Sequence, residues 1–486
     1  MPATLSLPHE PQRTDGNLRI YFTYFVIILV AYSPTYMYTY AFSDDWAIFY
    51  SVFHSNNELL KWDVTSGRPL YGFLKIISLS LLQYVSGFQI IRFIAVAALA
   101  LLCCYVYRKI NSRKIIDGEY ERIVFPLLIC LLPSFQVYTA WAICSPFVFS
   151  VALSGLSYFT LIDAEGKTSL PKMALSLALL FASFAIYQPS AMSFLFFVFL
   201  DNCIRKRELT LKRLIICGSV ISLGMLWALC LSKLIPQLVY QDAISRTELA
   251  DNVVEKILWF INEPLINAIC NFNLKTKLGY RIISGVFIFV GLYEISKQKH
   301  GVLKVALTLV LAIACYTPNL VVKESWGAYR TLVALEMIVS SLFLLGIFSL
   351  VKRFKLQRYM YPLMAITCVY LTFSNIKEGF ALPQKMELQA LSDEIKTKVP
   401  KSFDGKLMFD ISKQDNISFS KINKYDEFGL TSMRIAWAVP GMAQAIKKNM
   451  NMRYSLEGNT ILSKNNSCNE NCIVLDVGKV TPAPAP

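Results

Sequence analysis

The sequence has little charge and almost no histidine, and it lacks the motifs of several large enzyme classes. Charged residues make up only 17% of its 486 residues, and there are 3 histidines. It contains no Walker phosphate loop, no G-x-G-x-x-G fingerprint, no G-x-S-x-G elbow and no zinc-site spacing of Cys and His. The sequence therefore offers no support for nucleotide binding, serine hydrolysis or a zinc centre.

What the sequence has instead is hydrophobic length. Hydrophobic residues make up 55% of the chain, the mean hydropathy is +0.46, and apolar runs recur near the ~20 residues that span a bilayer. These features predict an integral membrane protein. The net charge of +15 does not indicate nucleic-acid binding, because the basic residues cluster in short loops that we expect to be cytoplasmic: 108–122, 205–213, 297–304 and 352–358.

The apolar runs and basic loops together predict an all-α polytopic protein of about eleven transmembrane helices. The first run begins near Leu18 without a basic region or a cleavage site, which favours a retained span over a signal peptide. This arrangement leaves the N-terminus cytoplasmic and the C-terminus outside. The predicted spans are 19–40, 88–107, 123–141, 146–162, 173–187, 189–201, 214–233, 280–296, 303–320, 331–350 and 359–376.

The segment 69–85 is apolar enough to resemble a further span, but the loop charges argue against that interpretation. Counting it as a span would move the basic loop 108–122 to the outside. The segment is also short and carries Lys75, so we predict a helix that lies in the outer interface. A short true span remains the alternative. With an interfacial helix, residues 41–87 form one long outer loop.

The chain is predicted to divide into a membrane domain, 1–377, and an outer C-terminal domain, 378–486. The second has the pattern of a small α/β domain, with strands at 407–411 and 473–477 and a helix at 431–449. Cys468 and Cys472 lie together in a polar part of it. They are candidates for a disulfide if that segment faces an oxidising compartment, and a C-x-x-x-C metal pair is the alternative.

The most informative residues are two adjacent acids, Asp44 and Asp45, which are predicted where the first span leaves the membrane. Carboxylates at a membrane exit cost desolvation free energy, and the C-terminal end of a helix disfavours acids. A carboxylate there can take a proton from a sugar hydroxyl, bind a divalent cation or stabilise positive charge. The pair is therefore predicted to be catalytic, with a solvated helix end as the alternative.

Arg68 lies in the same loop, at the predicted start of a helix. Gly67 lets the backbone turn, and Pro69 begins the helix. A guanidinium beside a helix N-terminus suits a phosphate, although snorkelling to lipid headgroups explains Arg68 equally well. On the first interpretation, Arg68 binds the phosphate of a donor substrate.

Two further outer loops carry residue types that suit a phosphate-linked sugar. The loop 321–330 combines cations with aromatic side chains, and a hairpin tip between two spans carries a tyrosine and a glutamine. Interfacial anchoring and a hairpin cap are the alternatives. The predicted roles are phosphate binding for Lys323 and Arg330, and sugar or acceptor contacts for Trp326, Tyr329, Tyr187 and Gln188.

The order of these elements resembles the GT-C superfamily of membrane glycosyltransferases. Those enzymes have an acidic motif after the first span, a long outer loop with interfacial helices, a helix start of the G/K-x-P-L type and then an arginine. The corresponding elements here are Asp44-Asp45, the loop 46–87, Arg68-Pro69-Leu70 and Arg92. The FSDDW…GRPLYG stretch and the large outer tail are also similar to the phage-encoded serotype-conversion O-antigen glucosyltransferases of enteric bacteria, the Gtr family.

That resemblance implies a GT-C-like fold in the bacterial inner membrane and an inverting glucosyl transfer on its periplasmic side. The implied donor is undecaprenyl-phosphate glucose, and the implied acceptor is a rhamnose of the O-antigen polysaccharide. Some GT-C enzymes use a divalent cation and others do not, so the resemblance leaves the metal open.

Two other functions remain as alternatives. Another polyprenyl-linked sugar reaction, such as O-antigen polymerisation, would need similar residues. A flippase for lipid-linked sugars is the non-enzymatic alternative, and it would need polar residues in mid-span and broken helices. The predicted spans are mostly apolar at mid-depth, which favours chemistry at the outer surface over a path through the membrane.

Overall fold

The chain is described by a computed structural model, in which helices account for 73% of the structure. The described residues are 14–480, with gaps at 55–57, 241–247, 275–276, 412–418, 421, 425–426, 458–459, 463–467 and 469–470. Within these residues the named strands form one two-stranded sheet. The architecture is therefore that of an α-helical membrane protein with little sheet.

The described α-helices follow one another closely, often with a proline near the start of the next helix. They are α1 Thr14–Ala31, α2 Ser33–Met37, α3 Asp44–His54, α4 Glu58–Thr65, α5 Pro69–Leu79, α6 Gly87–Arg113, α7 Glu119–Ile129, α8 Pro133–Ala140, α9 Pro146–Leu161, α10 Leu170–Ile186, α11 Gln188–Ala191, α12 Ser193–Phe199, α13 Leu211–Leu229, α14 Ile235–Tyr240, α15 Val253–Asn262, α16 Pro264–Ile269, α17 Leu278–Ser296, α18 Gly301–Ala314, α19 Thr317–Val321, α20 Tyr329–Arg353, α21 Gln357–Ile376, α22 Leu382–Lys398 and α23 Val439–Met450.

Several of these helices are long and apolar enough to cross a membrane. Five pass on length and composition, and α7 with α8 makes a sixth if the two, bent by 48°, count as one span. The five are α6, Ala142–Leu161, Leu211–Leu238, α17 and α20. Shorter apolar helices are Asn17–Ala31, α5, α10 and α18. Helix length alone therefore does not establish the predicted count of eleven.

Proline is the main reason why the predicted spans are interrupted. Pro34, Pro133 and Pro318 each lie within a predicted span, at the first or second position of a short helix. Proline lacks the N–H that continues a helix, and it disfavours helical geometry in the residue before it. A continuous apolar run in the sequence is therefore divided into two helices in the structure.

The four basic loops meet at one end of the helical bundle. Ion pairs connect the loop 205–213 with its neighbours: Lys206 with Asp117, and Lys299 with Glu208. Lys352 likewise pairs with Glu121, which is buried at the start of α7. The loops that were predicted to share one side of the membrane thus lie together in the fold.

Helix α5 has 11 residues and a length of about 16 Å, well below the ~30 Å of a bilayer core. Its charged residue, Lys75, is buried and forms an ion pair with buried Asp63 of α4. The charge in this apolar helix is thus satisfied within the loop, and α5 is too short to cross a bilayer by itself.

The C-terminal segment continues directly from α21 through a π-helical turn, Lys377–Ala381, into α22. Its strands are β1, Lys406–Asp410, and β2, Cys472–Asp476, which pair in parallel with Lys406 opposite Cys472. A disulfide joins Cys468 to Cys472, the first residue of β2. The predicted helix 431–449 begins later, because its first residues form a 3₁₀ turn at Ser432–Arg434 and then a bend.

This C-terminal segment shares a hydrophobic core with the outer loop 41–87. Trp46 and Phe49 of α3 pack in one buried cluster with residues of α22 and α23, including Leu391 and Met442. Gly441 of α23 lies so close to Trp46 that a Cβ atom at position 441 would overlap the Trp46 carbonyl oxygen. The outer loop is therefore covered by a segment almost 400 residues further along the chain.

This close approach predicts that Gly441→Ala destabilises the protein. Because the added methyl group must displace the Trp46 backbone, we expect a loss of about 1–3 kcal/mol, seen as a melting temperature several degrees lower in detergent. Gly218→Ala is the matched control, since a Cβ at position 218 of α13 meets no atom within 4 Å. Equal melting temperatures for the two variants would contradict the packing of α23 on α3.

Candidate functional site

The acidic pair lies at the beginning of a helix, not at the end of one as the sequence analysis expected. The first helix ends at Ala31, a short helix follows, and Asp44 and Asp45 form the first turn of α3. The partial positive charge of a helix N-terminus favours acids there. The argument from an unfavourable helix C-terminus was therefore wrong, and the two side chains must be judged by their surroundings.

Asp45 is completely buried and holds the outer loop to the membrane domain. One carboxylate oxygen accepts a hydrogen bond from the Phe42 backbone N–H, at 3.1 Å, and the other accepts from the Ile143 N–H, at 3.0 Å. Burial raises the pKa of Asp45 to about 7, while Arg92 and the backbone N–H groups act to lower it. Asp45 is thus a structural link that a substrate does not reach.

Arg92 provides the positive charge behind Asp45. It is fully buried, and its Nη1 lies 4.0 Å from the Asp45 carboxylate. Its Nε and Nη2 donate to the carbonyl oxygens of Thr35, at 2.7 Å, and Tyr40, at 2.8 Å, and its guanidinium stacks on the Tyr40 ring at 3.8 Å. Arg92 therefore fixes the connection between α2 and α3 against α6.

Asp44, in contrast, is only partly buried. Its Oδ1 accepts a hydrogen bond of 2.7 Å from the indole Nε1 of Trp437, in the C-terminal segment, and one of 3.3 Å from Ser43 Oγ. Ser43 has a φ of 48°, an uncommon conformation for a non-glycine residue, and its N–H donates to Ser432 Oγ at 2.9 Å. Of the two acids, Asp44 is the one that a solvent molecule or a substrate can reach.

A buried polar network holds the C-terminal segment beside Asp44. Ser432 Oγ donates to Gln384, whose amide donates to Glu387 at 2.9 Å. Glu387 is completely buried, and its other oxygen accepts from the Met433 N–H at 3.1 Å. Burial raises the pKa of Glu387 to about 8. The sequence analysis missed this network and Trp437, since they belong to a polar tail without a recognisable motif.

The structure brings Arg68 together with Tyr187 and Gln188, although about 120 residues separate them in the chain. Arg68 Nε donates to Gln188 Oε1 at 3.3 Å, and its guanidinium lies 4.7 Å from the centre of the Tyr187 ring. Gln188 in turn donates to the Gly67 carbonyl oxygen at 3.0 Å. Gly67 has a φ of +72°, so the predicted turn is present and presents Arg68 at the start of α5.

Arg330 lies at the start of α20, beside Trp141. Its guanidinium lies 5.1 Å from the centre of the Trp141 ring, and its carbonyl oxygen accepts a hydrogen bond from the Tyr138 hydroxyl at 2.8 Å. The start of α20 is held by buried Glu427 of the C-terminal segment, whose carboxylate accepts the N–H groups of Tyr329, at 2.8 Å, and Arg330, at 2.6 Å. Tyr329 is itself buried, against Phe428.

Aromatic contacts connect the two arginines. Tyr187, beside Arg68, stacks on Phe147 at 3.8 Å, and Phe147 contacts Tyr138, whose hydroxyl donates to the Arg330 carbonyl oxygen at 2.8 Å.

Trp141 connects Arg330 to the outer loop. Its ring lies 5.1 Å from the Arg330 guanidinium and contacts the Phe42 ring at 4.9 Å, two residues before Asp44. The accessible carboxylate and the two arginines therefore lie in one region, at the end of the bundle opposite the basic loops.

Lys323 and Trp326 are positioned differently from the other predicted residues. Lys323 is exposed and pairs with Asp251, at 3.2 Å, and Glu248, at 3.7 Å. The Trp326 side chain is 43% exposed, and its carbonyl accepts from the Tyr316 hydroxyl at 3.3 Å. Lys323 thus belongs to a surface ion-pair cluster with Asp251 and Glu248.

This arrangement has one accessible carboxylate and two cations that face the same region. A carboxylate can act as a general base, and guanidinium groups can bind a phosphate. Across the described ranges, no group of three or more His, Cys, Asp or Glu residues is placed to hold a metal ion.

The burial of Asp45 predicts a pH-dependent stability. Its pKa is raised on folding, so its protonated form stabilises the fold below about pH 4, and this contribution is lost as the pH rises through about 7. We expect the melting temperature of the wild type, relative to Asp45→Asn, to fall between about pH 5 and 8. Asp393→Asn, at an exposed position of α22, is the control and should show no such trend. A constant difference for Asp45→Asn would contradict the burial.

Comparison of the chain with known proteins does not assign a function to this site. No protein-family model matches the sequence, and no curated protein matches it either.

Proposed function

We propose that the chain is a membrane glycosyltransferase of the GT-C type, which uses a lipid-linked sugar at the outer face of the membrane. The observation that carries this proposal is the position of half-buried Asp44 at the same end of the bundle as Arg68 and Arg330, to which aromatic contacts connect its segment. A general base beside a phosphate-binding pair is what sugar transfer from a phosphate-linked donor requires.

The membrane domain supports a lipid-linked donor. Long apolar helices end at this region, and the sequence has no nucleotide-binding loop. We propose the full eleven-span topology, with the basic loops in the cytoplasm and both the site and the segment 378–486 in the periplasm of a bacterial inner membrane. The supporting observation is that all four basic loops meet at the end of the bundle opposite Asp44.

The proposed reaction is a single inverting displacement. Asp44 takes the proton of an acceptor hydroxyl while that oxygen forms a bond to the anomeric carbon of the donor sugar. The bond from the anomeric carbon to the phosphate oxygen breaks, and lipid phosphate leaves with its electron pair. Arg68 and Arg330 bind the phosphate and stabilise its growing negative charge. Asp45 and Arg92 keep the Asp44 backbone in place.

The choice of substrates follows the resemblance of the FSDDW…GRPLYG stretch to the Gtr family. On that basis the donor is undecaprenyl-phosphate glucose, and the acceptor is a rhamnose of the O-antigen repeat. A different polyprenyl-linked sugar transfer, or O-antigen polymerisation, would use the same carboxylate and arginines and is the closest alternative.

One feature of the membrane domain favours a flippase instead. The sequence analysis expected mostly apolar mid-span regions, but α7 and α8 are separated by a break, and buried Glu336 of α20 accepts hydrogen bonds from the N–H and hydroxyl of Ser134 there. A broken helix with a buried acid is typical of transporters.

The packing around the break still favours a transferase. The Cys130 carbonyl accepts from the Tyr32 hydroxyl at 2.6 Å, and the Leu131 carbonyl accepts from Gln136 and Thr372. Side chains of the protein thus satisfy these freed backbone groups, so the break is a packed feature and does not require a water-lined path.

The first test is Asp44→Asn in membranes supplied with synthetic undecaprenyl-phosphate glucose and rhamnose-containing O-antigen. A lost general base lowers the rate of glucosyl transfer by about 10²–10⁴-fold. Expression and melting temperature should stay normal, because Asp44 is partly exposed, and Asp393→Asn should transfer glucose normally. Full transfer by Asp44→Asn would refute the role of this acid, whereas absence of transfer by the wild type would favour the flippase alternative.

A second test separates the proposed phosphate ligands from surface cations. Because Arg68 is proposed to bind the donor phosphate, Arg68→Gln should raise the KM for undecaprenyl-phosphate glucose at least tenfold. Lys323→Gln removes the same charge from a residue paired with Asp251 and should change this KM less than about twofold. The reverse order of effects would place the phosphate at Lys323 instead of Arg68.

A further inference from the structure

Trp437 combines two properties that are seldom found in one tryptophan. Its side chain is 58% exposed, yet its indole N–H makes a 2.7 Å hydrogen bond to the Oδ1 of Asp44. A large aromatic side chain costs free energy when it is left in water. Because the N–H anchors only one edge of the ring, the rest of the indole remains available for contact with another molecule.

The backbone around Trp437 is held firmly. It lies between the Ser432–Arg434 turn and α23, in a segment closed by the hydrogen bonds Ile435 N–H to Ser432 O, at 3.0 Å, and Ala438 N–H to Ile435 O, at 2.9 Å. Buried Glu387 binds the N–H of Met433 from below. The exposure of the indole therefore does not come from a loose loop.

The hydrogen bonds to Asp44 also indicate how the carboxylate is used. Both Trp437 and Ser43 donate to Oδ1. This leaves Oδ2 as the oxygen that we assign to the hydroxyl of an incoming molecule. A molecule that presents a hydroxyl group to Asp44 would therefore contact the Trp437 indole with the rest of its surface.

We propose that Trp437 forms the floor of the acceptor-sugar subsite, with the indole stacked on the apolar C–H face of a pyranose and its N–H orienting Asp44. This inference rests on the proposed function and adds the acceptor's location to it. The donor approaches from the side of Arg68 and Arg330, at the starts of α5 and α20, whereas the acceptor approaches from the water-exposed C-terminal segment. Trp437 is therefore a positioning and specificity residue.

The stacking and hydrogen-bonding roles of Trp437 can be tested separately. Trp437→Ala removes both, so the KM for an O-antigen oligosaccharide should rise roughly tenfold, with an unchanged KM for undecaprenyl-phosphate glucose. Trp437→Phe keeps an aromatic surface but loses the N–H. Its acceptor KM should stay within about threefold of wild type, while kcat falls and the acid limb of the pH–rate profile moves to higher pH.

Trp62→Ala is the matched control, since Trp62 is 53% exposed in α4 of the same outer loop. It should leave the acceptor KM unchanged. A wild-type acceptor KM in Trp437→Ala, measured alongside active wild-type protein, would overturn this inference and leave the proposed function standing. If Trp437→Ala does not fold, an unchanged pH–rate profile in Trp437→Phe overturns it. Absence of transfer in the wild type itself would instead remove the proposed function, and this inference with it.

Discussion

The outer face of this protein depends on one buried carboxylate. Asp45 joins the backbone of the loop, at Phe42, to the backbone before α9, at Ile143, and lies beside the buried guanidinium of Arg92. Removing Asp45 would leave the Arg92 charge buried without its partner, and a buried unpaired charge destabilises a protein in a low-dielectric interior. The backbone between α2 and α3 is thus held in place, and this fixes the position of Asp44, the first residue of α3.

The C-terminal segment also holds the outer loop and the start of α20 in place. It covers α3 with an apolar core, and its polar contacts with the rest of the chain include the hydrogen bond from the Ser43 N–H to Ser432 and those that Glu427 accepts at the start of α20. These contacts bring Trp437 to Asp44 and hold Arg330 in place. The segment therefore contributes to the candidate site directly, and the site is a joint product of both parts of the chain.

In the membrane domain, side-chain hydrogen bonds satisfy the backbone groups that broken helices leave free in an apolar interior. At the break between α7 and α8, the hydroxyl groups of Tyr32 and Thr372 and the side-chain amide of Gln136 donate hydrogen bonds to the freed backbone carbonyl oxygens. Glu336 is part of this arrangement. A polar residue deep in such a domain can thus stabilise an interruption of the fold without forming a transport path.

The sequence by itself determined the class of the protein and much of the site's composition. Apolar runs and basic loops identified an α-helical membrane protein, and the same patterns indicated the turn at Gly67 and the short helix after Pro69. Hydropathy could not show where the runs are broken, because an apolar run that contains a proline can have the same mean hydropathy as one that does not. Nor could it tell Asp44 from Asp45. Only the tertiary structure decided that difference, because the burial of Asp45 and the exposure of Asp44 are set by Ile143, Arg92 and Trp437, which are distant in sequence and carry no local signal of their contact.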